Sequence, residues 1–559
     1  MKTDGVFHAD PGELLFLPLG GSNEIGMNLN LYCYGGKWLM VDLGITFGDE
    51  TTPGVDVIMP DPSFVESRRE DLLGLVVTHG HEDHIGAIPY LWERLRCPIY
   101  ATPFTASLVR RKLADVDLVG QVELIEVPLS GSVTLGPFDI EFIGLTHSIP
   151  EPSAIVLRCE AGTILHTGDW KFDPAPQVGE VTDLAALEAL AEEGVLAMVG
   201  DSTNVDVPGS TGSEAELVDS FSELFAKQEH RIAVTCFASN VARLHSIAVA
   251  ARRHDRRVAL VGRSLWRMHD VARENGYLLD IPDFVSEADV GYFPRNKLVL
   301  ICTGSQGESR AALARIADQA HPKVSIEAGD TVIFSSREIP GNENAIGRVQ
   351  GKFMSRDVKV ITERDHHVHV SGHPAHDDMV RMYQMVRPEI AIPVHGDARH
   401  LAEHARLAHD CQVPQVQAPG NGSVIRLAPG PAEIISWVPV SSLAVDGPRL
   451  RQLNGEVIRD RRKLLHNGAV AATLILDKKG YCRLDPMLTV TGITDDDDDE
   501  AEEIDDLLVE MVRKSVDGLS SSARASDEAV VAAAYRAVRR VLRNEFGKRP
   551  LTTVHVVRG

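Results

Sequence analysis

The apolar positions of this chain fall in short blocks of strand length, separated by turn residues and by stretches with helical spacing. Leu14-Leu15-Phe16-Leu17-Pro18-Leu19 runs into a Gly20-Gly21-Ser22-Asn23 turn and is followed by Asn28 to Tyr34, a hairpin-like start. Lys37-Trp38-Leu39-Met40-Val41-Asp42-Leu43-Gly44 reads as the next strand, and Leu72-Leu73-Gly74-Leu75-Val76-Val77 as a buried one. Ile85-Gly86-Ala87-Ile88-Pro89-Tyr90-Leu91 then opens a helix. The segment from Gly20 to Gly26 matches neither GxGxxG nor a P-loop and is expected to be a turn. Strand and helix signals alternate to about residue 200, as in a layered α/β fold.

A second α/β stretch follows, with strands such as Arg231-Ile232-Ala233-Val234-Thr235, Val258-Ala259-Leu260-Val261 and Lys297-Leu298-Val299-Leu300-Ile301. Residues of metal-ligand type return after it, at His373 and His395, so the stretch reads as an insertion after which the first domain closes. The expected divisions are 1–211 and 365–438 for the two parts of the first domain, 212–364 for the insertion, 439–459 for a linker and 460–559 for a small C-terminal domain. Near the end, Tyr535-Arg536-Ala537-Val538-Arg539-Arg540-Val541-Leu542-Arg543 is amphipathic and basic. A solvated helix face is expected there, with contact to RNA or a partner as the alternative.

The bulk numbers agree with several domains: 559 residues suggest three or four at a prior of ~150 each. A hydrophobic content of 44% supports real cores. No apolar run approaches the ~18 residues of a membrane span, and Met1-Lys2-Thr3-Asp4-Gly5 lacks signal-peptide character, so a cytoplasmic protein is expected. The seven cysteines are scattered without a CxxC, which fits reduced thiols rather than a disulfide framework or cysteine-held zinc. A net charge of -24 argues against a surface that binds nucleic acid indiscriminately. Part of that charge is local, because the run from Asp495 through Asp506 is almost wholly acidic. It reads as a solvated, flexible segment, with a metal-binding or regulatory role as the alternative.

The chemistry concentrates in Thr78-His79-Gly80-His81-Glu82-Asp83-His84. This run follows a strand and precedes a helix, so its side chains leave the alternating pleat and can converge. His79 and His81 can grip one cation, while Asp83 and His84 can turn toward a second. Imidazole with carboxylate suits zinc, or manganese where carboxylate dominates. The bland alternative is a polar loop with satisfied histidines. Farther on, His147, Asp169 and His395 each end an apolar strand. Any one of them alone would read as a turn residue. Two ions in such a site supply a nucleophilic hydroxide near neutral pH and screen developing charge, for phosphodiester and for ester or lactam cleavage alike.

Taken in order, these residues resemble the metallo-β-lactamase superfamily. Asp42 matches its first motif, His79-His81-Asp83-His84 its second, His147 its third and Asp169 its fourth. The resemblance implies an αββα sandwich with metals at one sheet edge: His79, His81 and His147 on one ion, Asp83, His84 and His395 on the other, and Asp169 bridging. It implies two Zn2+, with Mn2+ or Mg2+ as alternatives, and makes Asp42 a loop organiser rather than a ligand. The inserted stretch resembles the β-CASP nucleases, with Gly200-Asp201-Ser202-Thr203-Asn204, Val370-Ser371-Gly372-His373 and Pro393-Val394-His395-Gly396 as motifs A, B and C. A histidine at motif C resembles the RNA-processing branch; the DNA-repair branch carries valine there.

Further blocks resemble the ribonuclease J family over nearly the whole chain. They are Leu19-Gly20-Gly21-Ser22-Asn23-Glu24-Ile25-Gly26, Pro53-Gly54-Val55-Asp56, Phe237-Ala238-Ser239-Asn240, Cys302-Thr303-Gly304-Ser305-Gln306-Gly307-Glu308 and Ile339-Pro340-Gly341-Asn342-Glu343. The fold so implied is α/β: a metallo-β-lactamase sandwich, an inserted β-CASP domain and a small α/β C-terminal domain. The implied activity is 5′-to-3′ exoribonuclease with a 5′-monophosphate preference, plus endonuclease cleavage, in mRNA decay and rRNA maturation. Single-stranded RNA is the implied partner, and a homodimer or homotetramer the implied assembly.

His373, held by Asp201, is the expected general acid for the leaving 3′-oxygen; a capping or turn role would also explain Asp201. Ala238, Ser239, Asn240, His369, Val370, Ser371, Gly372 and His373 match the family's phosphate-pocket positions. Gly304-Ser305-Gln306-Gly307 could offer further backbone donors or be only a tight turn. Phe47 is expected in a core, with base stacking as the alternative. Two departures stand out: Gly80 replaces a common alanine, and Pro374-Ala375-His376-Asp377-Asp378 differs from the family's small-polar-acidic run, which puts the pocket edge in question. A structural Ca2+ at Gly54, Asp56 and Asp446 is a further implied site. The competing functions are a DNA-directed β-CASP nuclease, a catalytically silent RNA-binding scaffold and a small-ester or thioester hydrolase.

Overall fold

The apolar strand blocks assemble into two mixed sheets that share one core. The computed structural model describes residues 7–494 and 499–559. One sheet has eight strands, in the order Glu433–Trp437, Ser423–Ala428, Leu14–Gly20, Leu29–Tyr34, Lys37–Val41, Leu72–Val76, Ile99–Ala101 and Leu124–Glu126. The other has seven: Ser132–Leu135, Phe138–Gly144, Ser153–Cys159, Gly162–His166, Ala197–Asp201, Ile390–Val394 and Gln415–Val416. Phe16, Tyr32, Leu39, Val41 and Val76 from the first meet Phe142, Ile155, Leu157, Ile164, Val199 and Ile392 from the second in a single buried cluster. The outer face of the second sheet packs on Leu184–Glu193, His376–Val386 and Ala398–Asp410 through Leu187, Leu190, Met382, Val386, Leu407 and Ala408. Helices cover sheets that cover each other, which is the αββα arrangement.

The inserted stretch forms its own five-stranded parallel sheet, ordered Arg257–Val261, Leu298–Cys302, Ile232–Thr235, Thr331–Phe334 and Lys359–Ile361. The chain leaves the sandwich after Ala197–Asp201 and returns on Ile390–Val394. These two strands are parallel neighbours with Asp201 opposite Val394. The insertion therefore begins and ends at the same sheet edge, and motif A comes to lie beside motif C although 193 residues of chain intervene between Asp201 and His395.

Contacts divide the chain into two units: residues up to Thr46 with Met59–Val440, and Phe47–Ile58 with Ser441–Gly559. In the second unit the expected linker is corrected. Ser442–Asp446 and Arg449–Gln452 form a hairpin with Asp446 opposite Arg449, in a four-stranded sheet with Val57–Pro60 and Thr46–Phe47. Leu443 and Ala444 are buried. The loop between the two hairpin strands is Gly447-Pro448, with Gly447 at φ +58°, and that Gly was the available hairpin signal. The partner strands are remote in sequence, so nothing local announced the sheet.

The second unit also holds a sheet ordered Met487–Thr491, Ala469–Leu476 and Leu551–Arg558, one face of which is covered by helices Asp499–Asp517 and Asp527–Phe546. The acidic run is thereby partly corrected. Asp495 to Asp498 lie outside the described residues, but from Asp499 the run is helical rather than an open segment. Ile504, Leu508, Val512 and Val516 recur every four residues and bury against the sheet, and that stripe outweighs the charge on the other face. In Asp527–Phe546 the residues Ala537, Val538, Val541 and Leu542 are buried while Arg536, Arg540 and Arg543 are exposed, as expected for a solvated basic face. Among the described residues, no helix is long and apolar enough to cross a membrane.

Candidate metal centre

The segment Thr78 to His84 leaves the carboxyl end of strand Leu72–Val76, enters the short helix Glu82–Ile85 and is shaped by one buried carboxylate. Asp42, at φ +64°, follows the neighbouring strand Lys37–Val41. Its Oδ1 accepts the Thr78 N–H at 2.8 Å, and its Oδ2 accepts the Thr78 hydroxyl at 2.9 Å. Oδ2 also lies 2.7 Å from His84 Nδ1. A carboxylate engaged three times has little left for an ion, which fits a loop organiser. It also holds His84 by Nδ1 and turns Nε2 toward Asp169.

Three ring nitrogens converge on one side. His79 Nε2 and His147 Nε2 each lie 3.1 Å from His81 Nδ1. Nitrogens bound at 2.0–2.1 Å around a tetrahedral ion would sit about 3.3 Å apart, so the spacing fits a shared cation. Burial pushes all three imidazoles toward the neutral form, His81 to about 4, so each offers a lone pair. His147 Nδ1 is held 2.5 Å from the Gly372 carbonyl oxygen. A Cβ at Gly372 would come within 2.6 Å of the His147 ring, so only glycine permits this approach.

On the other side Asp83, His84, Asp169 and His395 gather, all four ligand atoms within 4.8 Å of one another. His395 Nε2 is 3.1 Å from Asp83 Oδ2, and His84 Nε2 is 3.2 Å from Asp169 Oδ2. Asp169 belongs to both groups, since the first comprises His79, His81, His147 and Asp169. Burial works against charge on His84 and His395, yet the facing carboxylates, Asp169 foremost, raise both overall. Burial also works against ionised Asp83 and Asp169, and the surrounding histidines hold both carboxyls well below their usual range. This donor set, five imidazoles and two carboxylates, fits two divalent ions with zinc-type chemistry.

A third group, Asp169, Asp201, His373 and His395, overlaps the second. His373 Nδ1 lies 2.7 Å from Asp201 Oδ2. The other Asp201 oxygen accepts the Thr203 N–H at 2.9 Å and its hydroxyl at 2.7 Å, so Asp201 both closes a turn and holds His373. Burial lowers the His373 pKa, but the charges of Asp201 and Asp169 outweigh it and the net shift is upward. Thr203, which sequence reasoning passed over, also sits 2.8 Å from His395 Nδ1.

Comparison with known proteins accounts for the whole chain. Residues 28–220 match the metallo-beta-lactamase superfamily, 229–353 the "Ribonuclease J, beta-CASP domain", 357–414 a "Zn-dependent metallo-hydrolase RNA specificity domain" and 456–559 the "Ribonuclease J C-terminal domain". Ribonuclease J of Sinorhizobium meliloti is 42% identical over 564 residues, spanning 100% of both chains. The chain belongs to the ribonuclease J family. The Mycobacterium tuberculosis ribonuclease J is 38% identical over 490 residues, 87% of each chain. A crystal structure of a protein of unknown function from Enterococcus faecalis shares the fold, with TM-score 0.52 at 14% identity, over 74% of this chain and 100% of that one. A ribonuclease J is a metal-dependent hydrolase acting on RNA, which sets aside the scaffold, DNA-directed and small-ester readings.

The residues matching the family's phosphate pocket sit on two segments tied by one buried arginine. Asn240 caps helix Val241–Arg253 by accepting the Arg243 N–H at 2.8 Å. The Arg243 guanidinium pairs with Glu214 and donates to the carbonyls of Val370 at 3.2 Å and Ser335 at 2.9 Å. Ala238, Ser239 and Asn240 are thereby fixed relative to His369, Val370 and Ser371. Arg243 carried no sequence signal, because an arginine on an amphipathic helix is ordinarily solvated. Ser371 Oγ accepts from Asn204 Nδ2 at 2.8 Å and from the His373 N–H at 3.1 Å.

The questioned features resolve locally. Asp378 accepts the N–H groups of Ala375 at 3.1 Å and Thr211 at 2.7 Å, while the Thr211 hydroxyl donates to the His373 carbonyl. The departing run therefore starts helix His376–Val386 and braces motif B. At Gly80 a Cβ would fall 2.5 Å from the Leu108 Cδ1, a flexible side-chain end, so an alanine needs only a small shift. Gly304 to Gly307 is a turn closed by Gly307 N–H to Gly304 O, and the Gln306 N–H is taken by Glu308. Phe47 is 67% exposed, which corrects its expected place in a core. The implied Ca2+ does not fit either. Arg451 Nε and Arg461 Nη2 donate to the two Asp446 oxygens at 2.8 and 2.7 Å, so guanidinium groups already supply the positive charge, and Gly54 and Asp56 gain no cation-binding carboxylate from it.

Proposed function

We propose that this chain is a two-metal 5′-to-3′ exoribonuclease that prefers 5′-monophosphorylated RNA, with endonuclease activity, in mRNA decay and rRNA maturation. His79, His81 and His147 would hold one ion, Asp83, His84 and His395 the other, and Asp169 both, with Zn2+ favoured over Mn2+ by the imidazole majority. Held there, two such ions would supply an activated hydroxide and neutralise developing charge. Asp201 orients His373, which gives its proton to the leaving 3′-oxygen. The family resemblance adds assembly as a homodimer or homotetramer.

The supporting observation is that the segment His369 to His373 is fastened to the metal cluster at two points, Gly372 O on His147 and His373 on Asp201. A 5′-phosphate taken by this segment leaves the first phosphodiester at the metals, so each cut releases one nucleotide. One RNA made with 5′-monophosphate and with 5′-triphosphate ends tests the reading. Mononucleotides should come mainly from the monophosphate form and only without chelator. Equal use of both ends removes the 5′ preference, and cleavage that survives chelator removes the metal mechanism.

Asp42→Ala tests the loop organiser. Losing an outer partner of a ligating histidine typically costs ~10–100-fold in metal affinity. A zinc titration should show that loss with helix content unchanged; unaltered affinity would make Asp42 a bystander.

A further inference from the structure

Arg337 stands at the end of a hydrogen-bonded relay that begins in the phosphate pocket. Its Nη1 donates to Asn204 Oδ1 at 2.7 Å, and Asn204 Nδ2 donates to Ser371 Oγ at 2.8 Å. Its loop is held by a buried side chain: Gln306 Nε2 donates to the Arg337 carbonyl at 2.9 Å, and Gln306 Oε1 accepts the Ile339 N–H at 3.0 Å. The side chain of Arg337 is exposed, and among the described residues no carboxylate forms an ion pair with it.

Two other cations face the same His369, and both are neutralised. Lys171 pairs with Asp173 at 2.9 Å, and Arg243 with Glu214 at 2.8 Å. Among the described residues Arg337 is thus the member of this trio without an ion-paired carboxylate, although its charge also acts on the carboxyl of Glu363, in a protein whose net charge is -24. Apart from His373, which Asp201 holds at the metal cluster, the pocket groups named from sequence are neutral donors, and burial with the three neighbouring cations keeps His369 uncharged as well. A terminal phosphate carries up to two negative charges near neutral pH, and a buried anion is costly without a cationic partner. Ser371 Oγ already accepts two hydrogen bonds, so its own proton is free to donate. One amide and two hydrogen bonds separate it from the guanidinium, a span that a single phosphate making its own two hydrogen bonds can bridge.

We propose that Arg337 is a further substrate-binding residue, which with Ser371 takes the 5′-terminal phosphate and sets the preference for phosphorylated over hydroxyl ends. This rests on the 5′-phosphate reading above. The test uses one RNA with a 5′-monophosphate or a 5′-hydroxyl, and the full-length wild-type, Arg337→Ala and Arg337→Lys proteins. Arg337→Ala should lower kcat/KM on the monophosphate by about tenfold or more, mainly through KM, and leave the hydroxyl RNA within about twofold. Arg337→Lys should recover part of the loss, since it keeps the charge but not the fork. An equal fall on both RNAs would mean that Arg337 merely braces Asn204, and no change on either would mean that it touches nothing; both overturn the proposal. A wild type indifferent to the 5′ end sinks the phosphate reading and this one together. A wild-type preference that Arg337→Ala leaves untouched sinks only Arg337.

Discussion

Asp169→Ala is expected to empty both halves of the metal cluster and to lower RNA cleavage by at least a thousandfold, about 4 kcal/mol of barrier. The reason is topological. Asp169 follows strand Gly162–His166, whose parallel neighbour Ala197–Asp201 carries motif A and lies beside the strand that ends at His395. Asp169 therefore stands in the middle of the sheet edge and is the one residue common to all three donor groups. Its Oδ2 is 3.2 Å from His84 and 3.8 Å from His79, one histidine from each proposed ion. Removing any single histidine leaves the other ion with its full set; removing Asp169 does not. Elemental analysis after dialysis, with single-turnover cleavage on the same sample, checks this. Two ions per chain retained by Asp169→Ala would show that the carboxylate does not bridge.

His373→Ala is expected to slow cleavage by about 10²–10⁴-fold, the usual weight of a general acid, while metal content stays at the wild-type level. The pH dependence carries the sharper signature. The carboxylates of Asp201 and Asp169 outweigh burial and raise the His373 pKa, so the proton-donating form persists to higher pH than in a free imidazole and is lost as pH climbs through the raised value. Activity should fall on that alkaline limb. Asp201→Asn removes the stronger of the two raising charges, so the limb should move to lower pH. His373 also belongs to the third donor group, with Asp169, Asp201 and His395, and a ligand role there would predict metal loss in His373→Ala. An alkaline limb that ignores Asp201→Asn would likewise remove the acid assignment.

The clustered histidines and carboxylates were legible because donor spacing is local. His79, His81, Asp83 and His84 lie within one short passage from strand to helix, which has few ways to arrange them. The relays around them were not legible. Thr203, Arg243 and Arg337 each act on a residue more than a hundred positions away, through hydrogen bonds that leave no periodic trace. The same holds for the arginines on Asp446. Sequence showed a carboxylate that could take calcium, and only folding brought Arg451 and Arg461 onto both of its oxygens.

The sequence by itself determined the reaction class and the layered α/β fold, since ligand chemistry and strand-length apolar blocks are local properties. Tertiary structure decided which residues share a site. Asp201 and His395 become neighbours only because their strands pair in parallel, and His147 meets Gly372 only because a whole inserted domain begins and ends at one sheet edge. Pairing register and close approach depend on the packing of the entire core, and no window of sequence contains that information.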